Sequence, residues 1–164
     1  MEYKKQRLLR QAGIDWIASR LSARECEYAF VTLTLKQGIK RDKKPWEPLT
    51  AEAAQADVQM FLDMLNSRVF GNAYRRYGKR LAAIDGTEGG DKSEKRRHRH
   101  MLIEVPSRLD FSTFESLVRE IRMKSRWQHR RIDVQRARTV QGVTAYMTKT
   151  KTGIDAICLD TTAF

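Results

Sequence analysis

A chain of 164 residues is about the size of one ordinary domain, long enough to bury a core without disulfides or a structural metal. With 41% apolar and 32% charged residues it is too hydrophobic for a disordered chain, and no apolar run approaches the ~18 residues of a membrane span. The 32 Lys and Arg against 20 Asp and Glu leave a net charge of +12, enough to gather a polyanion by releasing its condensed counterions, so nucleic acid is the expected partner.

The start, Met1-Glu2-Tyr3-Lys4-Lys5, runs into mixed charge rather than an apolar segment, so no secretory signal is visible and a cytoplasmic location is expected. Cys26 and Cys158 are far apart and outside any CxxC spacing; both are expected to be reduced thiols. Leu9, Ala12, Trp16, Ile17 and Leu21 recur at helical spacing and predict an amphipathic helix over residues 1–25, with Lys4, Lys5, Arg7 and Arg10 on its wet side. Tyr28 to Leu35, aromatic and β-branched with no Gly or Pro, predicts a buried strand, and Lys36 to Pro48 a basic loop.

Thr50 is the expected N-cap of a helix whose apolar face is Val58, Phe61, Leu62, Leu65 and Val69 and whose end is near Gly71. After a basic connector, Tyr74 to Arg80, the pattern predicts a short strand over Leu81 to Ile84, a turn over Asp85 to Gly90 and a charged segment from Asp91 to Arg97. His98 to Val105 reads as a strand stopped by Pro106. Ser112 and Glu115 have capping-box spacing ahead of the apolar face Phe114, Leu117, Val118 and Ile121. Arg131 to Gln135 alternates as a half-exposed strand should, and Val140 to Lys151 predicts a last helix stopped by Gly153. No internal repeat or low-complexity linker argues for a second domain, so residues 1–164 are expected to form one.

The chemistry concentrates in two places. Side chains two apart on a strand leave the same face, so His98 and His100 project together, their α-carbons ~6.6 to 6.8 Å apart, while Arg99 goes to the other side. Two imidazoles so placed can lean toward one cation, with a carboxylate from the acidic turn upstream, Glu88 or Asp85, as third ligand. A bare HxH pair is more often an exposed strand start; what favours a ligand role is that two of only three His share one strand face beside acidic residues. The third, His129, sits among Arg126, Gln128, Arg130 and Arg131 and is expected at the surface or facing DNA. Tyr146 and Lys149, three apart, share a helix face. A tyrosine hydroxyl is a poor nucleophile at neutral pH, and a neighbouring ammonium favours its phenolate and can touch the phosphate under attack.

Taken together these segments resemble the HUH endonuclease superfamily, and within it the single-tyrosine rolling-circle replication initiators of plasmids and bacteriophages. Phe30-Val31-Thr32-Leu33-Thr34-Leu35 resembles the first motif of that superfamily, Arg97-His98-Arg99-His100-Met101-Leu102-Ile103-Glu104-Val105-Pro106 the HUH motif, and Thr144-Ala145-Tyr146-Met147-Thr148-Lys149 the YxxK motif. Glu88, in Thr87-Glu88-Gly89-Gly90, looks like the third metal ligand, with Asp85 as the other candidate. The resemblance spans residues 28–153. One departure is Arg99, where the motif normally has a hydrophobic residue, which implies that the far side of this strand is not fully buried there.

The resemblance implies an α+β fold, a central antiparallel sheet of about five strands with packed helices, ferredoxin-like or RRM-like, and the histidines on a central strand. It implies Mg²⁺ or Mn²⁺ held by Glu88, His98 and His100, attack of Tyr146 on a DNA phosphate assisted by Lys149, and a 5′-phosphotyrosine intermediate with a free 3′-OH. The partners it implies are single-stranded DNA at an origin or hairpin, with a host helicase and polymerase, since no helicase segment follows. Phosphate contacts are expected from Arg96, Arg97 and Lys151 beside the motifs and from Arg130, Arg131, Arg136 and Arg138. Two other readings share these residues: a single-tyrosine transposase of the same superfamily, recognising paired hairpin ends, and a non-catalytic single-strand-binding module with incidental histidines.

Overall fold

The computed structural model describes residues 2–89, 96–148 and 157–163. Helix α1 (Glu2–Ser22) leads to β1 (Glu27–Leu35), a ribbon of β2 (Gly38–Ile39) and β3 (Glu47–Pro48), then α2 (Ala51–Phe70) and α3 (Asn72–Tyr77). Strands β4 (Ala83–Glu88) and β5 (His98–Val105), helix α4 (Phe111–Arg122), β6 (Gln128–Arg136), α5 (Val140–Met147) and β7 (Ile157–Ala163) follow. The main sheet has 5 strands in the order β6-β1-β5-β4-β7, every neighbouring pair antiparallel. The succession β1-α2-β4-β5-α4-β6 with β1 and β5 inside is the split β-α-β-β-α-β arrangement. The fold is α+β, as expected, and the histidine strand β5 lies at its centre.

Strand alternation gives each sheet face its own core. On one face Ala29, Val31, Leu33, Met101 and Ile103 pack against Val58, Phe61 and Leu65 of α2 and Phe114, Val118 and Ile121 of α4, all buried. On the other, Tyr28, Ile84 and Leu102 pack against Ile17 and Leu21 of α1 and Met147 of α5. Each of the Val, Leu, Ile, Phe and Met side chains among these, fully buried, contributes about 1.5–3 kcal/mol of transfer free energy. No helix among the described residues is long and apolar enough to cross a membrane.

The expected elements over β1, α2 and β5 are present, and Thr50 caps α2, its hydroxyl accepting from the Ala53 amide at 3.1 Å. Elsewhere the structure departs from the pattern. Helix α1 is turned so that Ile14, Ile17, Ala18 and Leu21 are buried while Leu9 (61% exposed), Ala12 and Trp16 (50%) face solvent. The basic loop carries the β2–β3 ribbon, and part of the basic connector is α3. The N-cap of α4 is Asp110, whose carboxylate accepts from the Thr113 amide at 2.9 Å, so Ser112 lies inside the helix and the capping box is not formed. The expected strand over Leu81 to Ile84 begins at Ala83 and continues through the supposed turn to Glu88, because Asp85, Gly86, Thr87 and Glu88 pair with Met101, His100, Arg99 and His98. Strand β7, which the pattern did not predict, pairs with β4.

Candidate metal centre and nucleophile

Directly opposed residues of neighbouring strands share a face. Glu88 lies opposite His98, Gly86 opposite His100, and Thr32 of β1 opposite His100 on the other side. The β5 alternation therefore gathers Glu88, His98 and His100 on the sheet face covered by α1 and α5. Glu88 Oε2 is 3.1 Å from His98 Nε2 and 2.9 Å from His100 Nε2, and the imidazoles meet edge to face with centroids 4.8 Å apart. One ligand atom from each of the three residues lies within 4.8 Å of the others. Gly86, without a side chain, crowds nothing beside His100.

The donor set fits a divalent cation. His98 Nδ1 donates to the carbonyl of Arg96 at 2.9 Å, and His100 Nδ1 and Thr32 Oγ1 share a hydrogen bond of 3.1 Å. Such partners on the outer nitrogens orient metal-binding imidazoles and leave Nε2 as ligand. A carbonyl can only accept, so His98 Nδ1 carries a proton, and in the neutral imidazole the Nε2 lone pair faces the Glu88 carboxylate, where either a second ring proton or a bound cation would sit between them. Donors about 2.1 Å from a shared cation, at right angles around it, stand about 3 Å apart, which matches the O···N distances here.

Asp85, the other candidate ligand, is three residues from Glu88 and so on the opposite face, fully buried and bonded to the guanidinium of Arg99. Arg99 is itself only 3% exposed. The expectation that an arginine at this position leaves the far side of β5 open is thus overturned: Asp85 neutralises the charge inside the α2-facing core.

Tyr146 comes from α5, which starts at its N-cap Thr139, whose hydroxyl accepts from the Gly142 amide at 3.1 Å, and is seated by buried Thr144 and Met147. The tyrosine ring stands edge-on to His100 with centroids 5.4 Å apart and to Phe30 at 5.7 Å, while Phe30 stacks on His100 at 5.6 Å. At 40% exposure Tyr146 remains open to a large substrate. Lys149 and Lys151, like the helix stop at Gly153, lie outside the described residues.

The arginines named as phosphate contacts are not all placed together. Arg96 is exposed at the entrance to β5, whereas Arg97 is buried and its backbone N–H donates to Gln37 Oε1 at 2.8 Å. Arg130, Arg131, Arg136 and Arg138 are exposed on or just after β6, the sheet edge two strands, about 10 Å, from β5. Arg130 and Arg131 fall where the β1–β6 register shifts. Arg136, opposite Ala29 on the α4 side, is bonded to Glu27 and lies over the Phe111 ring at 4.6 Å. His129 is half-exposed, accepting through Nδ1 from the Arg131 amide at 3.4 Å. Sequence reasoning missed Thr32 and Phe30 as parts of the site; the signal was the alternation of Phe30, Thr32 and Thr34 along one side of β1.

Comparison with curated proteins gives no match, and comparison with solved structures gives none. The family described as replication-associated protein ORF2 matches residues 28–151, from the start of β1 past Tyr146 and including Glu88, His98 and His100. That match covers well over half of the sequence, and the chain belongs to the replication-associated protein ORF2 family.

Proposed function

We propose that the protein is a single-tyrosine HUH endonuclease that nicks and rejoins single-stranded DNA at a replication origin, initiating rolling-circle replication of a plasmid or phage. The observation that carries this is the Tyr146 ring against His100, one member of a converging Glu88, His98 and His100 donor set. Membership of a replication-associated family supports the same reading.

Mg²⁺ or Mn²⁺ held by Glu88, His98 and His100 would offset the charge of the scissile phosphate and polarise it. Tyr146 supplies the nucleophile. Its phenolic oxygen bonds to phosphorus as the bond to the 3′ oxygen breaks; the phenol gives up its proton, and the departing oxygen gains one to become a free 3′-OH. Because one phosphate ester replaces another, a 3′-OH attacking the phosphotyrosine reverses the step and joins strands. Phe30, packed on both His100 and Tyr146, holds the nucleophile's ring in place. Lys149, three residues on, is assigned the contact to the attacked phosphate, and Arg96, Lys151 and the β6 arginines the flanking backbone. Unwinding and extension fall to a helicase and polymerase of the host.

The test is incubation with a labelled single-stranded origin library and Mn²⁺, followed by denaturing separation. A covalent DNA adduct is expected that EDTA prevents and that Tyr146→Phe lacks while still binding DNA. An adduct of ordinary yield with Tyr146→Phe, or none with the unaltered protein, would sink the proposal.

A further inference from the structure

Arg99 sits between the two histidines in sequence and projects from the opposite face of β5. Its Nε donates to Asp85 Oδ1 at 3.0 Å and one Nη to Gln55 Oε1 of α2 at 2.9 Å, with further bonds to Asp85 Oδ2 and Thr87 Oγ1. The side chains of Arg99 and Asp85 are 4% and 0% exposed. A buried guanidinium is tolerated because its charge is paired and its donors are used. The cation site on the other face therefore has a neutral pair behind it rather than a bare positive charge.

The residues gripped are the informative part. Asp85 and Thr87 alternate along β4 with Gly86 and Glu88, which lie opposite His100 and His98. Glu88 is the last residue of β4, and the pairing of β4 with β7 among the described residues reaches only to Gly86, so Thr87 and Glu88 are paired on one side, with Arg99 and His98 of β5. Backbone pairing holds the last two residues of β4 from the β5 side, and a slip of one residue would turn Glu88 to the wrong face.

We propose that Arg99 is a positioning residue for the cation site: by forking to Asp85 and Thr87 from behind the sheet it fixes β4 on β5 in the register that sets the Glu88 carboxylate beside both imidazoles. This rests on the cation-binding reading above. Partners that orient ligands without touching the metal are commonly worth 10–100-fold in affinity.

Mn²⁺ titration, followed by calorimetry and by the electron paramagnetic resonance signal of free Mn²⁺, separates the two ideas. Arg99→Lys keeps the charge but loses the planar fork. It is expected to bind Mn²⁺ at least about tenfold more weakly, with a cooperative metal-free melt. Thr87→Val, which leaves the Asp85 pair intact, is expected to weaken binding by a smaller factor. Where Arg99→Lys does not fold, Thr87→Val and Gln55→Leu decide. Wild-type affinity in these variants overturns the role of Arg99 while leaving the cation site standing. Absence of Mn²⁺ binding by the unaltered protein, or equal binding by Glu88→Ala, overturns the cation reading and this inference with it.

Discussion

The ring of Tyr146 meets the ring of His100 at 87°, centroids 5.4 Å apart, although the two residues come from α5 and from the central strand and are brought together only by tertiary packing. Phe30 is the third member of this aromatic group, parallel to His100 within 17° and edge-on to Tyr146 at 79°. On the proposed mechanism, a phenol that attacks a phosphate held at the His100 side depends on this packing for its distance.

Phe30→Ala removes the ring that both others lean on. A misplacement of about 1 Å can cost about 10²-fold in a positioned reaction, so the rate of adduct formation is expected to fall by up to that factor while single-strand affinity changes little. Single-turnover kinetics beside an anisotropy titration reads both; an equal loss in affinity and rate would show instead that Phe30 acts through DNA binding.

The buried pair of Asp57 on α2 and Arg122 on α4 makes a stability prediction. The Asp57 carboxylate takes hydrogen bonds from Arg122 and Ser125, and Ser125 Oγ in turn accepts from the Trp127 amide at 3.0 Å, just before β6. Nε and Nη2 of Arg122 are buried without hydrogen-bond partners among the described residues. Asp57→Ala would leave a guanidinium wholly uncompensated, and about 3–5 kcal/mol of destabilisation is expected from the urea midpoint. Replacing both residues by Leu should cost clearly less, because the charge leaves with its partner; a double variant as unstable as the single one would contradict this account.

How much of this was legible from residues alone depends on how local each cause is. Helix α2 announces itself through Val58, Phe61, Leu62, Leu65 and Val69 at helical spacing between Thr50 and Gly71, and the His98/His100 pair through simple alternation. Asp85-Gly86-Thr87-Glu88 reads as a turn because its composition is turn-like; it is a strand because β5 pairs with it, a contact the local pattern does not encode. Arg99 reads as exposed for the same reason, since its partner Asp85 becomes visible only with that register. Helix α1 carries two competing apolar stripes, and packing selects Ile14, Ile17, Ala18 and Leu21 over Leu9, Ala12 and Trp16. Phe30 and Thr32 lie in the segment that resembles the first motif, but their part in the site becomes visible only when the β1–β5 register sets Thr32 opposite His100 and packing sets Phe30 against His100 and Tyr146.

Asp110 caps α4, and hydrogen bonds from the Thr113 hydroxyl and amide hold its carboxyl below the usual carboxylate range. Folding therefore favours the ionised form. Its contribution is complete above the unfolded value near ~3.9 and is lost as pH falls through the lower folded value. Asp110→Asn keeps a cap but cannot titrate. The urea midpoint of the unaltered protein should exceed that of Asp110→Asn more at about pH 6 than at about pH 3; an equal gap at both would remove the charge from the explanation.

The exposed arginines on and after β6 make the last prediction, and they are not equivalent. Each Lys or Arg that neutralises a phosphate of a single strand adds about 0.7 to the slope of log affinity against log salt. Arg130→Ala, Arg131→Ala and Arg138→Ala should each lower that slope by about this amount and weaken binding alike for all sequences, as backbone contacts do. Arg136→Ala should change it less, because its guanidinium is already engaged by the Glu27 carboxylate and the Phe111 ring. Anisotropy titrations on a labelled oligonucleotide, from about 50 to about 200 mM salt, measure the slopes. An unchanged slope in the triple variant would move the DNA track off this edge of the sheet, leaving Arg96, exposed at the entrance to β5 beside His98, from which to trace it.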